Sequence, residues 1–192
     1  MKPAFIRALA IHAVAAGALV ASSSASGADA FSADSSDLPD GAAIPQRFTF
    51  NGYGCKGQNV SPAIAWNNPP ADTKSFALLV HDPDAPTGGK GWWHWIVVDI
   101  PPSARGVAPG AGTADGKALP APARQLGNDF GSSGWGGPCP PAGDRPHHYV
   151  FTIYAVKIDK LNLPANATGA EAQSAASSNA LAKAVFVRQF GR

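Results

Sequence analysis

Glycine and proline interrupt this chain so often that long helices have little room. Of 192 residues, 21 are Gly and 18 are Pro, spread through the sequence beyond residue 30. Proline fixes φ and removes a backbone donor, and glycine costs chain entropy inside a regular element. Such punctuation suits short strands joined by turns. Between the breakers, strands are expected at 63–66, 75–81, 93–100 and 148–156. Two of them hold unbroken apolar runs, Phe76-Ala77-Leu78-Leu79-Val80 and Ile96-Val97-Val98, the pattern of strands covered on both faces. In the fourth, Tyr149, Phe151 and Ile153 alternate with Val150, Thr152 and Tyr154, again apolar on both sides. Only 168–182 argues for a helix, with Thr168 as N-cap and Glu171 at the capping-box spacing. Residues 184–190 then read as a last strand. Residues 103–128 read as a long surface loop, of a length that tends to be functional or mobile. The expected class is mainly β, with a helix near the C-terminus and long loops.

The first thirty residues do not belong to that pattern. Lys2 and Arg7 precede an apolar stretch at 8–20, and Ala28-Asp29-Ala30 fits a small-x-small cleavage site. This is the layout of a secretory signal, and the apolar stretch is too short to span a bilayer. Residues 1–30 are therefore expected to be a signal peptide and 31–192 a single domain, periplasmic or secreted, without a transmembrane segment. Without Lys2, Arg7 and Asp29 the 15 basic and 13 acidic residues become 13 against 12, which offers no basic stripe for nucleic acid. The only two cysteines are Cys55 and Cys139. In an exported protein a disulfide between them is the default expectation, and two separate thiols the alternative.

Chemistry-bearing residues gather in two windows. After the signal, the remaining histidines are His81, His94, His147 and His148, and Trp92, Trp93, Trp95 and Trp135 fall in or near the same stretches. In the first window, Asp82-Pro83-Asp84-Ala85-Pro86 stiffens two carboxylates, and His94 lies between Trp93 and Trp95. If the two tryptophans share a face, His94 points to the other. In the second window, Gly134 to Pro146 forms a Gly- and Pro-rich loop whose N–H groups can shape an anion-binding concavity. His147 and Tyr149, two apart on an extended chain, share a face. Taken singly, each feature also fits an ordinary turn or a core histidine. No spacing matches a zinc or calcium signature, and no G-x-S-x-G, Walker A or G-x-G-x-x-G motif occurs. Neither a metal nor a cofactor is expected.

Taken together, Asp82-Pro83-Asp84-Ala85-Pro86, Trp93-His94, Gly137-Pro138-Cys139-Pro140-Pro141-Ala142-Gly143 and His147-His148-Tyr149 resemble the phosphatidylethanolamine-binding protein (PEBP) family, also called Raf kinase inhibitor proteins. Within it they are similar to the bacterial YbhB/YbcL-like branch, as are Asn128-Asp129-Phe130-Gly131 and Gly91-Trp92-Trp93-His94-Trp95. The likeness runs from about Ile44 to the C-terminus. It implies an antiparallel β-sandwich and a small surface pocket for phosphate-type anions or a phosphoethanolamine-like head group. The pocket would use Asp82, His94, His147, Tyr149, Gly137, Pro140 and Pro141, with Pro86 and Trp92 as walls. The resemblance assigns no ligand contact to His81. Animal members close the pocket with a C-terminal helix that this chain lacks, so a more open pocket is expected. The implied function is non-catalytic binding of a small anion or phospholipid head group. The alternatives are an inhibitor or host-directed factor acting on a protein partner through its loops, and a hydrolase using the Asp/His cluster.

Overall fold

The computed structural model describes Met1 and residues 30–192; the expected signal peptide lies outside the described residues, those two ends excepted. The described residues form two antiparallel sheets and one α-helix. The larger sheet has five strands: β3 (Ser75–Asp82), β4 (Trp92–Ile100), β6 (Arg124–Gln125), β7 (His147–Val156) and β8 (Ala180–Phe190), in the order β6-β4-β3-β7-β8. The smaller has β1 (Ser32–Asp34), β2 (Ile64–Asn67) and β5 (Gly106–Val107), in the order β1-β2-β5. The helix, α1 (Gly169–Ser178), precedes β8.

The unbroken apolar runs are explained by layering. One face of the large sheet, with Leu78, Val80, Trp95, Val97, Phe151 and Ile153, packs on Ile64 and Trp66 of β2 and Val107 of β5. The opposite face, with Ala77, Leu79, Ile96, Val98 and Tyr154, packs on Ala172 and Ala176 of α1 and on Leu161. Each fully buried Leu, Ile or Phe contributes about 1.5–3 kcal/mol relative to exposure. With both faces dry, the middle of β3 and of β4 carries an unbroken apolar run.

The capping box of α1 forms as its spacing requires. Glu171 N donates to Thr168 Oγ1 (3.2 Å) and Thr168 N donates to Glu171 Oε2 (2.8 Å). The helix nevertheless stops at Ser178, four residues short of the expected end. Ala180, Ala182 and Lys183 instead pair with Val156, Ala155 and Tyr154 of β7. Their helix propensity is overridden by the ladder of a neighbouring strand. The chain therefore finishes in a long edge strand rather than a helix. Near the end of that strand buried Arg188 donates to Leu38 O (2.6 Å) and to Asp34 Oδ1 (2.6 Å), tying the N-terminal segment to it.

The 103–128 stretch is less free than its composition suggests. It contributes β5 and β6, buries Ala111, Leu119 and Leu126, and is pinned by Gly112 N to Ser61 Oγ (2.9 Å). The Cys55–Cys139 disulfide is present, with its Cα atoms 5.9 Å apart. Among the described residues no helix is long and apolar enough to cross a membrane.

Candidate functional site

A β-bulge prepares the site. Trp92 pairs with Asp82, Trp93 with His81 and Trp95 with Val80, so His94 is an extra residue in β4. The condition that Trp93 and Trp95 share a face is not met for this reason. Trp95 packs toward the small sheet and Trp93 toward α1, because the bulge breaks the period-two alternation. The ladder groups lost at the bulge find loop partners. Trp93 N donates to Asp129 Oδ2 (2.7 Å), Asp129 N to Trp93 O (3.0 Å) and Gly136 N to His94 O (2.9 Å). His94 Nδ1 in turn donates to Gly136 O (2.5 Å).

Asp82 closes β3 and faces the same side as His94. Its Oδ1 accepts from Asp84 N (2.8 Å), an Asx turn set by the Asp-Pro-Asp sequence, and its Oδ2 accepts from His147 Nδ1 (2.7 Å). All three of Asp82, His94 and His147 are buried. They meet at a cavity of about 310 Å³, a size that suits a small ligand. Pro86, Trp92, Pro140 and Pro141 complete the expected lining, together with Ala85, Thr87 and Cys139.

Two expected residues lie behind the cavity rather than on it. Gly137 packs its backbone against the Phe48 carbonyl, where a Cβ would not fit, and donates its N–H to Asn59 Oδ1 (2.8 Å). Tyr149 is fully buried, edge-on to the His94 ring at 5.1 Å. Its hydroxyl has no hydrogen-bond partner among the described residues. Burial, then the nearby Asp82 and Asp84 charges, raise its pKa, so the phenol stays neutral and able to donate. His81 lies against Trp93, their rings tilted with centroids 4.2 Å apart, and contacts Lys90 O (3.1 Å) through Nε2, away from the cavity.

Among the lining residues that sequence reasoning missed, two are aromatic. Tyr53 and Phe130 form an aromatic wall, 6.0 Å apart and stacked, with Phe50 behind and Trp92 edge-on to Phe130 at 5.4 Å. The signal for Phe130 was its place in the Asn128-Asp129-Phe130-Gly131 turn, where Asn128 Oδ1 accepts from Phe130 N (3.0 Å). Nothing local marks Tyr53. It is brought in by the disulfide to Cys139 and by Arg192, which donates to Tyr53 O (3.2 Å) and Pro140 O (2.7 Å).

Burial lowers the His94 pKa from 6.5 to about 4, against the opposing pull of the Gly136 bond and Asp82, so the ring is neutral at pH 7. The lining holds one carboxylate and two imidazoles but no Lys or Arg. A larger groove of about 580 Å³ runs beside the end of β8. Two of its ionisable groups are already committed, Arg188 to Leu38 O and Asp34, and His148 to Asp84 (2.7 Å). The smaller cavity is therefore the better candidate.

Fold and cavity define a class: a two-sheet β protein with a small surface pocket built on a buried Asp–His pair beside an aromatic wall. The family model described as "Phosphatidylethanolamine-binding protein" matches residues 34–191, and the chain belongs to that family. Among its relatives are two UPF0098 proteins of Escherichia coli. YbcL is 48% identical over 143 residues, 74% of this chain and 78% of YbcL. YbhB is 45% identical over 136 residues, 71% of this chain and 84% of YbhB. The crystal structure of E. coli YbcL, described as a new member of the mammalian PEBP family, superimposes with a TM-score of 0.81 at 42% identity. That match covers 84% of this chain and 98% of YbcL.

Proposed function

We propose that this chain is an exported, non-enzymatic binding protein whose cavity takes a phosphate-type anion or a phosphoethanolamine-like head group. The observation that carries the reading is the convergence of Asp82, His94 and His147 at one cavity in a member of a family named for binding phosphatidylethanolamine. The disulfide and the signal-like N-terminus support export to an oxidising compartment. The non-enzymatic part is supported by the lack, among the described residues, of a free nucleophile at the Asp82–His147 pair. The Thr87 hydroxyl is held by Gly91 O (2.9 Å) and the Cys139 sulfur is in the disulfide. Binding should be weak, because no Lys or Arg lines the cavity. Titrating the protein with O-phosphoethanolamine, followed by calorimetry and by NMR of the tryptophan indoles, tests the reading. Saturable binding lost in a His94→Ala/His147→Ala double variant is expected. Equal binding by both proteins would remove these residues from the site.

A further inference from the structure

His147 has a carboxylate at each ring nitrogen, and the two are held very differently. Asp82 Oδ2 lies 2.7 Å from Nδ1, within the range of a charge-assisted hydrogen bond, whereas Asp144 Oδ2 lies 3.5 Å from Nε2, outside it. The Asp82 side chain is 4% exposed and the Asp144 side chain 43%. Asp82 also accepts from Asp84 N (2.8 Å). Among the described residues, the Asp144 carboxylate has Nε2 as its one close polar partner.

The turn that carries Asp144 leaves its side chain room to rotate. Residues 141–146 are all exposed. Their backbone is fixed without the carboxylate: Asp144 N donates to Pro141 O (3.3 Å) and Gly143 N to Arg192 O (3.1 Å). Asp144 also lines the outer groove of about 580 Å³, so a rotated side chain has open space to enter. Pro140, Pro141 and Pro146 stiffen the segment on either side. A carboxylate tethered in this way acts at a high effective concentration, which keeps even a loose contact populated.

The nitrogen that Asp144 meets is the one His147 has left for a ligand. With a proton on each nitrogen this ring is a cation, in a lining that has no Lys or Arg and whose other imidazole, His94, is kept neutral by burial. Two anions cannot share a single N–H, because like charges at that distance repel strongly. We propose, building on the phosphate-pocket reading above, that Asp144 is a tethered competitor for His147 Nε2, holding the anion position until a phosphate-type ligand takes it and the side chain swings into the outer groove. Asp144 therefore sets how good an acceptor an anion must be before it is bound.

The test compares wild type with Asp144→Asn by calorimetry at fixed pH and ionic strength. Dimethyl phosphate stands for the diester of a lipid head group and inorganic phosphate for a free anion. Asparagine keeps the shape of the side chain and removes its charge. Asp40→Asn is the control, the same change of charge at a 93% exposed side chain in the same groove. The expected result is that Asp144→Asn binds at least one probe about tenfold more tightly than wild type, and the probe that gains tells a lipid-type diester from free phosphate. Asp40→Asn should stay within about twofold, its charge being screened by solvent. Unchanged or weaker binding by Asp144→Asn, where wild type binds, overturns this inference and leaves the phosphate pocket standing. An equal gain in Asp40→Asn also overturns it, by assigning the effect to net charge. Absence of binding by both probes to wild type and to Asp144→Asn overturns the pocket reading as well.

Discussion

Two Asp–His pairs stand side by side in this molecule, Asp82 with His147 and Asp84 with His148. Both are closed by a 2.7 Å contact from Nδ1 to a carboxylate oxygen. They arise from adjacent residues, yet they have opposite fates. His147 and Asp82 side chains are 3% and 4% exposed and meet the cavity, while the His148 side chain is 43% exposed and turns to the outer groove. The outer pair is saturated. Asp84 also accepts from His148 N (2.8 Å) and Arg145 (2.9 Å), and His148 Nε2 meets Gln189 Nε2 at 2.7 Å. The inner pair leaves His147 Nε2 beside the cavity. The difference shows that an Asp–His contact is not itself a site. What matters is whether the strand pleat delivers it to an enclosed space with a ring nitrogen to spare.

The disulfide offers the largest lever on this contrast, because it ties Tyr53 to Pro140 over the inner pair alone. A Cys55→Ala/Cys139→Ala variant should lose about 4.5 kcal/mol in the chain-entropy model, read by denaturant unfolding. Its His147 ring signals should move in NMR spectra while those of His148 stay. Equal movement of both would show that the two pairs share one environment.

Asp82→Ala comes next. It leaves His147 and Asp84 N without their buried acceptor and should cost about 3 kcal/mol and end ligand binding. Thermal unfolding and O-phosphoethanolamine titration check this, and a variant as stable as wild type would contradict the burial argument.

Acid titration separates the regions by pH. His94, in the inner cluster, has a folded pKa depressed from 6.5 to about 4. The unfolded chain therefore binds its proton first, and stability falls as pH drops through that window, by up to about 3 kcal/mol. Asp84, in the outer pair, is held below its ordinary 3.8 first by the His148 N–H bond and then by the His148 ring. Its contribution is present above 3.8 and fades only as pH falls further. Denaturant midpoints measured at successive pH values should show the first loss flattened in a His94→Asn variant and the second unchanged.

The smallest effect is expected for His148→Ala. With a half-exposed ring and a neighbouring Arg145 that is 78% exposed, it should change stability by about 1 kcal/mol or less and leave O-phosphoethanolamine affinity within error. A tenfold loss of affinity would mean that the outer pair belongs to the site after all.

Much of this was legible in one dimension. The capping box at Thr168, the buried strands around Phe76 and Ile96, and the convergence of Asp82, His94 and His147 all rest on local spacing or on motif order. The helix end was not legible. Ala180 and Ala182 favour a helix until β7 supplies them with ladder partners. Nor was Tyr149 placed correctly. Sharing a face with His147 says nothing of depth, and its ring lies under His94 instead of on the cavity.

What the amino-acid order determined alone is the set of rigid local pieces. These are the Asp-Pro-Asp turn that pins Asp82, the proline loop at 140–141, and the strands that need cover on both faces. Three decisions belonged to the tertiary structure. One is the bulge that turns His94 toward the cavity. Another is the arrival of Tyr53 and Phe130 from distant loops. The third is the Gly136 carbonyl that fixes which imidazole nitrogen is free. Each joins residues far apart in the chain, and their geometry is set by packing between layers and not by neighbours in sequence.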